Sequence, residues 1–309
     1  MRVATVDIGT NSVLLLVAES QGGALQPVLE RATVTRLGEG VDRNRRLLDA
    51  ACQRTLACLA RYATELRQRG VTRIAAVGTS ALRDASGGQE FLAHASDLLG
   101  VVPRVIDGRE EAHLTFRGAL SGLTQDGNVT VFDIGGGSTE IIVGSVAAGA
   151  RTISAAVSLN IGSVRLFERH VRSDPPSADQ LQRVENDIAL ALAGAPPLAT
   201  GATLIGVAGT VTQLAALEFE LAQYDAARVH GSKLTLASVE RLATRLAALD
   251  LAGRRALPGM HPARADVLVV GSAIARAVLR WSGAAEVIVS DRGVRWGLAE
   301  VLAASGAHA

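Results

Sequence analysis

The chain has 309 residues, of which 48% are hydrophobic and 20% charged, and its formal net charge at pH 7 is +1. That length suits two domains better than one core, and the hydrophobic share excludes a disordered chain. Near-neutrality argues against a nucleic-acid coat and against a binder of acidic membranes.

No apolar run reaches the roughly 18 residues of a membrane span, and the start MRVATVDIGT carries no signal-peptide pattern. Cys52 and Cys58 share one helical stretch without metal-ligand spacing, which predicts free thiols in a reducing, cytoplasmic compartment. Lys233 is the only lysine, so nearly every positive charge is an arginine, whose planar fork suits phosphate oxygens. A compositional bias also accounts for that preference, so each arginine has to be judged by its position.

From Val3, the apolar run VATVDIG breaks at Gly-Thr-Asn and resumes as SVLLLVAES, and ALQPVLERATVTRLG makes a third extended stretch. A helix is predicted over about 47–69, where Leu48, Cys52, Thr55, Leu59, Tyr62 and Leu66 keep a helical period and Gly70 marks the stop. RIAAVGTS reads as a strand, EFLAHASDLL as a helix, VVPRVID as a strand and REEAHLTFRGALSG as a helix. A second series starts at Asn128, with NVTVFDIG, STEIIVGSV and ARTISAAVSLNIG as three extended stretches. Helices follow at about 163–171 and 178–194, then the strand TLIGVAGT, a helix from Val211 and another at 237–249. RADVLVVGSAIARAVLRW is a long apolar helix, EVIVSD a strand and GVRWGLAEVLAA a last helix. RSDPPSAD and AGAPPLATGA are proline-rich connections within the second series.

Both series open with three extended stretches and then alternate helix and strand, which predicts a duplicated α/β unit. The boundary is expected in SGLTQDGN, giving domains 1–122 and 123–309, with the last helix, about 293–305, free to pack back on the first.

Each series carries Asp-Ile-Gly at its first strand end, as Asp7 in VDIGTNS and as Asp133 in VFDIGGGSTE. A tight turn there presents backbone N–H groups, and glycines let an anion approach them. Gly135, Gly136 and Gly137 with Ser138 and Thr139 make one such cradle, and Thr10, Asn11 and Ser12 a second. Asp7 and Asp133 repel phosphate, but they suit Mg²⁺, which bridges to phosphoryl oxygens, and Glu140 on the return strand is a third candidate ligand. Two further strand ends carry candidates. IDGREEAH places Glu110 and Glu111 at a helix start, where acids also serve simply to complement the helix dipole. GTSALRDA places Thr79, Ser80 and Arg83 where an arginine clamps phosphate or forms a surface ion pair.

The motifs VDIGTNS, GTSALRDA, GREEA, VFDIGGGSTE, SLNIGSVRL, GVAGTVTQLAAL, PARADVLVVGSAI and VSDRGVRWGLA stand in one order along nearly the whole chain. In that order they resemble the exopolyphosphatase and guanosine pentaphosphate phosphatase family, within the superfamily of actin, the sugar kinases and the heat-shock ATPase. The resemblance implies two ribonuclease-H-like domains, duplicated βββαβα units, facing across a cleft. It implies Mg²⁺-dependent hydrolysis of terminal phosphoanhydrides, with Mn²⁺ as the alternative metal. By motif, Glu111 resembles the general base, Asp133, Glu140 and Asp7 organise the metal, and Arg83 binds the phosphate chain. Gly209 and Thr210 of GVAGTVTQLAAL join the phosphate-binding set on the same ground. Inorganic polyphosphate is the implied substrate and guanosine pentaphosphate the alternative, with no nucleic-acid or membrane partner and a homodimer admitted.

Many relatives are longer and carry an added helical domain, so this chain resembles the short two-domain form. Trp296 stands where an acid is expected in many relatives. Two other functions compete: an ATP-dependent small-molecule kinase of the same superfamily, and a sensor that binds polyphosphate without cleaving it. Glu111 favours a hydrolase over a sensor, and the absence of a G-x-x-x-x-G-K-[ST] stretch excludes a P-loop mechanism.

Overall fold

In the first strand, Arg2–Ile8 (β1), the side chains of Ala4, Val6 and Ile8 enter one core while Val3 enters another, so Thr5 and Asp7 share the face of Val3. This alternation sets the site's position from the first residues onward. The computed structural model describes residues 1–21, 24–199 and 201–305. Thr200, inside the proline-rich connection at 193–202, and the tail 306–309 of the expected second domain lie outside the described residues. The chain divides into unit 1, Met1–Ser121 with Val294–Ala309, and unit 2, Gly122–Gly293.

Unit 1 adds β2 (Ser12–Gln21), β3 (Ala24–Val34), α1 (Val41–Asn44), α2 (Asp49–Gln68), β4 (Arg73–Gly78), α3 (Ser80–Asp84), α4 (Gly88–Leu99), β5 (Arg104–Val105) and α5 (Gly108–Ala119). Its sheet runs β3-β2-β1-β4-β5, with β1, β2 and β3 antiparallel and β1, β4 and β5 parallel. One face is covered by α2 and α4, through Leu59, Tyr62, Leu66, Phe91 and Leu99. The other face takes the last helix, Val294–Ala304, whose Trp296 and Ala299 meet Val3 and Leu16, while Val294 and Leu298 meet Val77, Ile106 and Leu114. Trp296 is 1% exposed; a fully buried indole of this kind costs roughly 3–5 kcal/mol to delete. Gly297 is required at that contact, because a Cβ there would lie 1.9 Å from the Leu114 carbonyl oxygen of α5.

Unit 2 comprises β6 (Gly127–Ile134), β7 (Thr139–Ala147), β8 (Ala150–Leu159), α6 (Ser163–His170), α7 (Ala178–Leu192), β9 (Thr203–Val207) and α8 (Ala208–Glu218). It continues through α9 (Ala226–Val229), β10 (Lys233–Thr235), α10 (Leu236–Ala248), α11 (Leu251–Arg255), a 3₁₀ turn at Pro262–Arg264, α12 (Leu268–Ser282) and β11 (Glu286–Val289). The sheet order is β10-β11-β9-β6-β7-β8, with β6, β7 and β8 antiparallel and β6, β9 and β11 parallel. One core gathers Phe132, Ile141, Leu204, Leu214, Leu242, Ile274 and Leu279 from strands and helices. Both sheets therefore share one mixed order, three antiparallel strands followed by parallel ones, to which unit 2 adds β10 antiparallel to β11 at its edge; this is the ribonuclease-H-like α/β unit built twice.

Several local expectations are corrected. VVPRVID forms strand only at Arg104–Val105, because Pro103 has no N–H to donate and this edge pairs only with Val77 and Gly78. Asp107, at the end of that stretch, instead caps α5 by accepting from the Glu110 N–H at 2.8 Å. Residues 264–267 of the long apolar stretch stay outside α12, which begins at Leu268. Helix α8 begins at Ala208, ahead of Val211, and Ala208 takes φ of +68°. Strand β10 was not anticipated, being three residues long and paired only with β11. Cys52 and Cys58 are both unbridged. Among the described residues no helix is long and apolar enough to cross a membrane.

Candidate active site

Each unit turns its first hairpin in the same way. Ile8 pairs with Val13 and Ile134 with Thr139, and each four-residue turn is closed by its leading glycine, Gly9 N–H to Ser12 O and Gly135 N–H to Ser138 O, both 3.0 Å. One sequence offset relates Asp7 to Asp133, Gly9 to Gly135 and Ser12 to Ser138. The turn carbonyls are held from the chain that follows. In unit 1 the Thr10 oxygen accepts from Gly38 N–H at 2.9 Å, and the Asn11 oxygen from Thr35 and Arg36 N–H, both at 3.0 Å. Since a trans peptide points its C=O and N–H in opposite directions, N–H groups of each turn are aimed away from those contacts. Backbone N–H groups aimed in this way suit an anion. Thr10, Asn11, Ser12, Ser138 and Thr139 are all buried, and the Thr139 hydroxyl donates to Ile161 O at 2.7 Å.

The two cradles differ in their acids. Asp133 faces Glu140 directly across β6 and β7, so both carboxylates lie on one face of the sheet, and both are buried. Like charges opposed in this way destabilise a sheet and favour a cation beside them. Ser158 steadies Glu140 by donating to its Oε1 at 2.7 Å. At the corresponding place in unit 1, Asp7 faces Leu14. Burial raises the Asp7 carboxyl to about 7, outweighing the Arg295 guanidinium, which acts in the opposite direction.

Asp7 Oδ1, Thr10 Oγ1 and Asn11 Oδ1 are buried without a hydrogen-bond partner. Asp7 lies near the end of β1, and Thr10 and Asn11 in the turn that follows; buried orphan oxygens of this kind suit a hard cation or its water. Among the described residues no group of three or more His, Cys, Asp or Glu side chains is placed to hold a metal. Mg²⁺ does not require one, since it commonly takes one or two carboxylates, waters and substrate phosphates. The residues present therefore fit Mg²⁺.

Arg83 and Glu111 come together within unit 1. Arg83 Nη1 donates to Glu111 Oε2 at 2.5 Å and to Ile106 O at 3.0 Å, with side-chain exposures of 19% and 9%. Both bonds use one nitrogen, which leaves the Nε–Nη2 edge of the fork outside them. Helix α3 sets this arginine just after β4, where Thr79 N–H donates to Ile8 O at 3.2 Å. Thr79 and Ser80 are buried, and the Ser80 hydroxyl donates to Asp84 Oδ2 at 3.3 Å. Glu110 turns the other way, to the exposed side chain of Arg104 at 2.7 Å.

In unit 2 the Thr210 hydroxyl donates to Ile134 O at 3.3 Å, which ties α8 to the end of β6. Gly209 lies beneath Arg264, for a Cβ there would be 2.1 Å from its Nη1. Gln213 brings that arginine in by donating to Gly259 O at 2.6 Å and accepting from His261 N–H at 3.2 Å. Arg264 of PARADVL carries no signal of this place in the sequence, because only tertiary contact sets it over Gly209. Arg295 was likewise missed: it pairs with Glu30 at 2.7 Å, and Trp296 Nε1 donates to the same carboxylate at 3.2 Å.

A family model described as the Ppx/GppA phosphatase family matches residues 16–303. The chain belongs to that family. It is similar to Exopolyphosphatase 2 of Mycobacterium tuberculosis, with 37% identity over 98% of each chain. It is also similar to the guanosine-5'-triphosphate,3'-diphosphate pyrophosphatase of Aeromonas hydrophila, with 31% identity over 96% of this chain but 58% of the relative. Among solved structures, the Aquifex aeolicus member of the Ppx/GppA family is 32% identical, covers 100% of this chain and 99% of its own, and superposes with a TM-score of 0.82. The Ppx/GppA resemblance read from the motifs therefore holds along the chain.

Proposed function

We propose that this Ppx/GppA phosphatase is an exopolyphosphatase, a hydrolase that removes orthophosphate from the end of inorganic polyphosphate. The observation that carries the reading is the similarity to Exopolyphosphatase 2 along the full length of both chains. The site geometry supports it. The N–H groups of the turns at 9–12 and 135–138 bind phosphoryl oxygens, and the open edge of the Arg83 fork takes two more. Glu111, buried beside Arg83, accepts a proton from water as the water oxygen attacks the terminal phosphorus. The anhydride P–O bond breaks, and the shortened chain leaves with the bridging oxygen. The Arg83–Glu111 bond keeps both groups at one place and orients the carboxylate.

Asp133 and Glu140 in unit 2, and Asp7 in unit 1, are the candidate residues that would hold Mg²⁺, or Mn²⁺ in its place. When bound, the metal supplies positive charge to the phosphoryl oxygens during transfer. The remaining work falls to the chain: binding by the cradles and Arg83, and proton acceptance by Glu111.

The test measures orthophosphate release from polyphosphate, guanosine pentaphosphate and ATP side by side, with Mg²⁺. Release from polyphosphate well above the other two is expected. Faster release from guanosine pentaphosphate would move the assignment to the pyrophosphatase relatives. ATP-dependent phosphorylation of a metabolite, without polyphosphate hydrolysis, would overturn the reading.

A further inference from the structure

The segment Asn160–Leu166, NIGSVRL, is a sequence motif to which the reaction assigns nothing, and in the structure it holds the glycine turn of unit 2. Gly135 O accepts from Ser163 N–H at 3.0 Å and from its hydroxyl at 3.2 Å. Gly136 O accepts from Val164 N–H at 2.9 Å and Arg165 N–H at 3.0 Å. Gly137 O accepts from the Arg165 side chain, Nε, at 2.5 Å. The two backbones touch, since a Cβ on Gly162 would lie 2.4 Å from Gly136 O.

Unit 1 solves the same problem with backbone alone, because the Asn11 carbonyl, at the place of Gly137, takes two main-chain N–H groups. Unit 2 uses a charged side chain at that point, and Arg165 is 6% exposed. Three consecutive glycines form the least restrained peptide a turn can have, so their orientation depends on what grips them. Fixing the Gly137 carbonyl turns the next N–H, that of Ser138, in the opposite direction. A charge-assisted bond is the stronger kind of grip.

We propose that Arg165 is a positioning residue for the phosphate cradle: by holding the Gly137 carbonyl it aims the Ser138 N–H at the substrate's phosphate. The proposal rests on the exopolyphosphatase reading and names the part of unit 2 that sets substrate affinity. It concerns an arginine that touches the turn, not the reacting atoms.

Arg165→Ala and Arg165→Lys are compared with the parent protein in three measurements: steady-state hydrolysis of polyphosphate, calorimetric binding of inorganic phosphate, and melting temperature. For Arg165→Ala, KM rises about tenfold or more and phosphate affinity falls in step, with a smaller change in kcat, as for loss of one hydrogen bond to a charged group. Arg165→Lys restores part of both, since it keeps a charged donor but loses the rigid fork. A fall in kcat with KM and phosphate affinity unchanged overturns the proposal, because a damaged fold lowers the active fraction without moving affinity. No change in any of the three overturns it as well. If Arg165→Ala does not fold, the same readouts on Arg165→Lys decide. A parent protein that binds phosphate but leaves polyphosphate intact overturns the exopolyphosphatase reading, and the phosphate affinities still judge Arg165. A parent protein that does neither overturns both.

Discussion

Asp7 offers a test of the proposed metal binding that needs no substrate. Burial raises its carboxyl from 3.8 to about 7. A folded-state value above the unfolded one means that the native state prefers the neutral acid. Its stability is highest below the unfolded value, falls as the pH rises between about 4 and 7, and carries the whole penalty above that window. A shift of about 3 units corresponds to about 4 kcal/mol at pH 8, and to under 2 kcal/mol at pH 5. Asp7→Asn removes the ionisation while keeping the shape. In chelator, the variant should therefore melt several degrees above the parent protein at pH 8 and much closer to it at pH 5. Millimolar Mg²⁺ should raise the parent at pH 8 and the variant far less, because the cation stabilises only the ionised carboxylate. Melting curves of the full chain, at both pH values and with and without Mg²⁺, give the answer. Parallel curves for the two proteins across pH, or equal stabilisation of both by Mg²⁺, would refute this reasoning.

Three further outcomes are expected. Arg83→Ala should raise KM for polyphosphate at least as much as it lowers kcat, and Arg83→Lys should recover only part of the loss; full recovery with lysine would show that charge alone suffices. Asp133→Asn should abolish Mg²⁺-dependent turnover in a protein with an unchanged circular dichroism spectrum, and unchanged activity at saturating metal would remove Asp133 from the site. Gly297→Ala drives a methyl into the Leu114 carbonyl of the helix that carries Glu111. It should lower stability by about 1–3 kcal/mol and reduce kcat together, read by urea unfolding and steady-state kinetics.

Much of the candidate site was legible because its residues are written in local chemistry. Asp-Ile-Gly after an apolar run favours a strand end and a turn, and its repetition at one offset exposed the duplication. Glu111 and Arg83 could be placed at strand ends, but not at 2.5 Å from each other, since helices α3 and α5 meet only in the folded unit. The orientation of Glu140 was open until the hairpin register put it opposite Asp133. The strand shortened by Pro103 failed for a local reason that outweighed its apolar pattern. Arg165, Arg264 and Arg295 were hidden in plain view: each acts through a contact with a distant carbonyl, glycine or carboxylate that no spacing encodes. The membership of the last helix in unit 1 likewise depends on packing, through Trp296 and Gly297, and not on its own periodicity.

The proposed hydrolysis turns on Glu111 as the group that takes the proton from water. A positioned base of this kind is typically worth about 10²- to 10⁴-fold in rate. The most direct measurement is kcat for orthophosphate release from polyphosphate, with Mg²⁺, for Glu111→Gln and Glu110→Gln beside the parent protein, with polyphosphate affinity measured on each. Glu111→Gln should lose about that factor in kcat with affinity retained, while Glu110→Gln, facing Arg104, should change little. Equal rates for Glu111→Gln and the parent protein, or a greater loss in Glu110→Gln, would contradict the account.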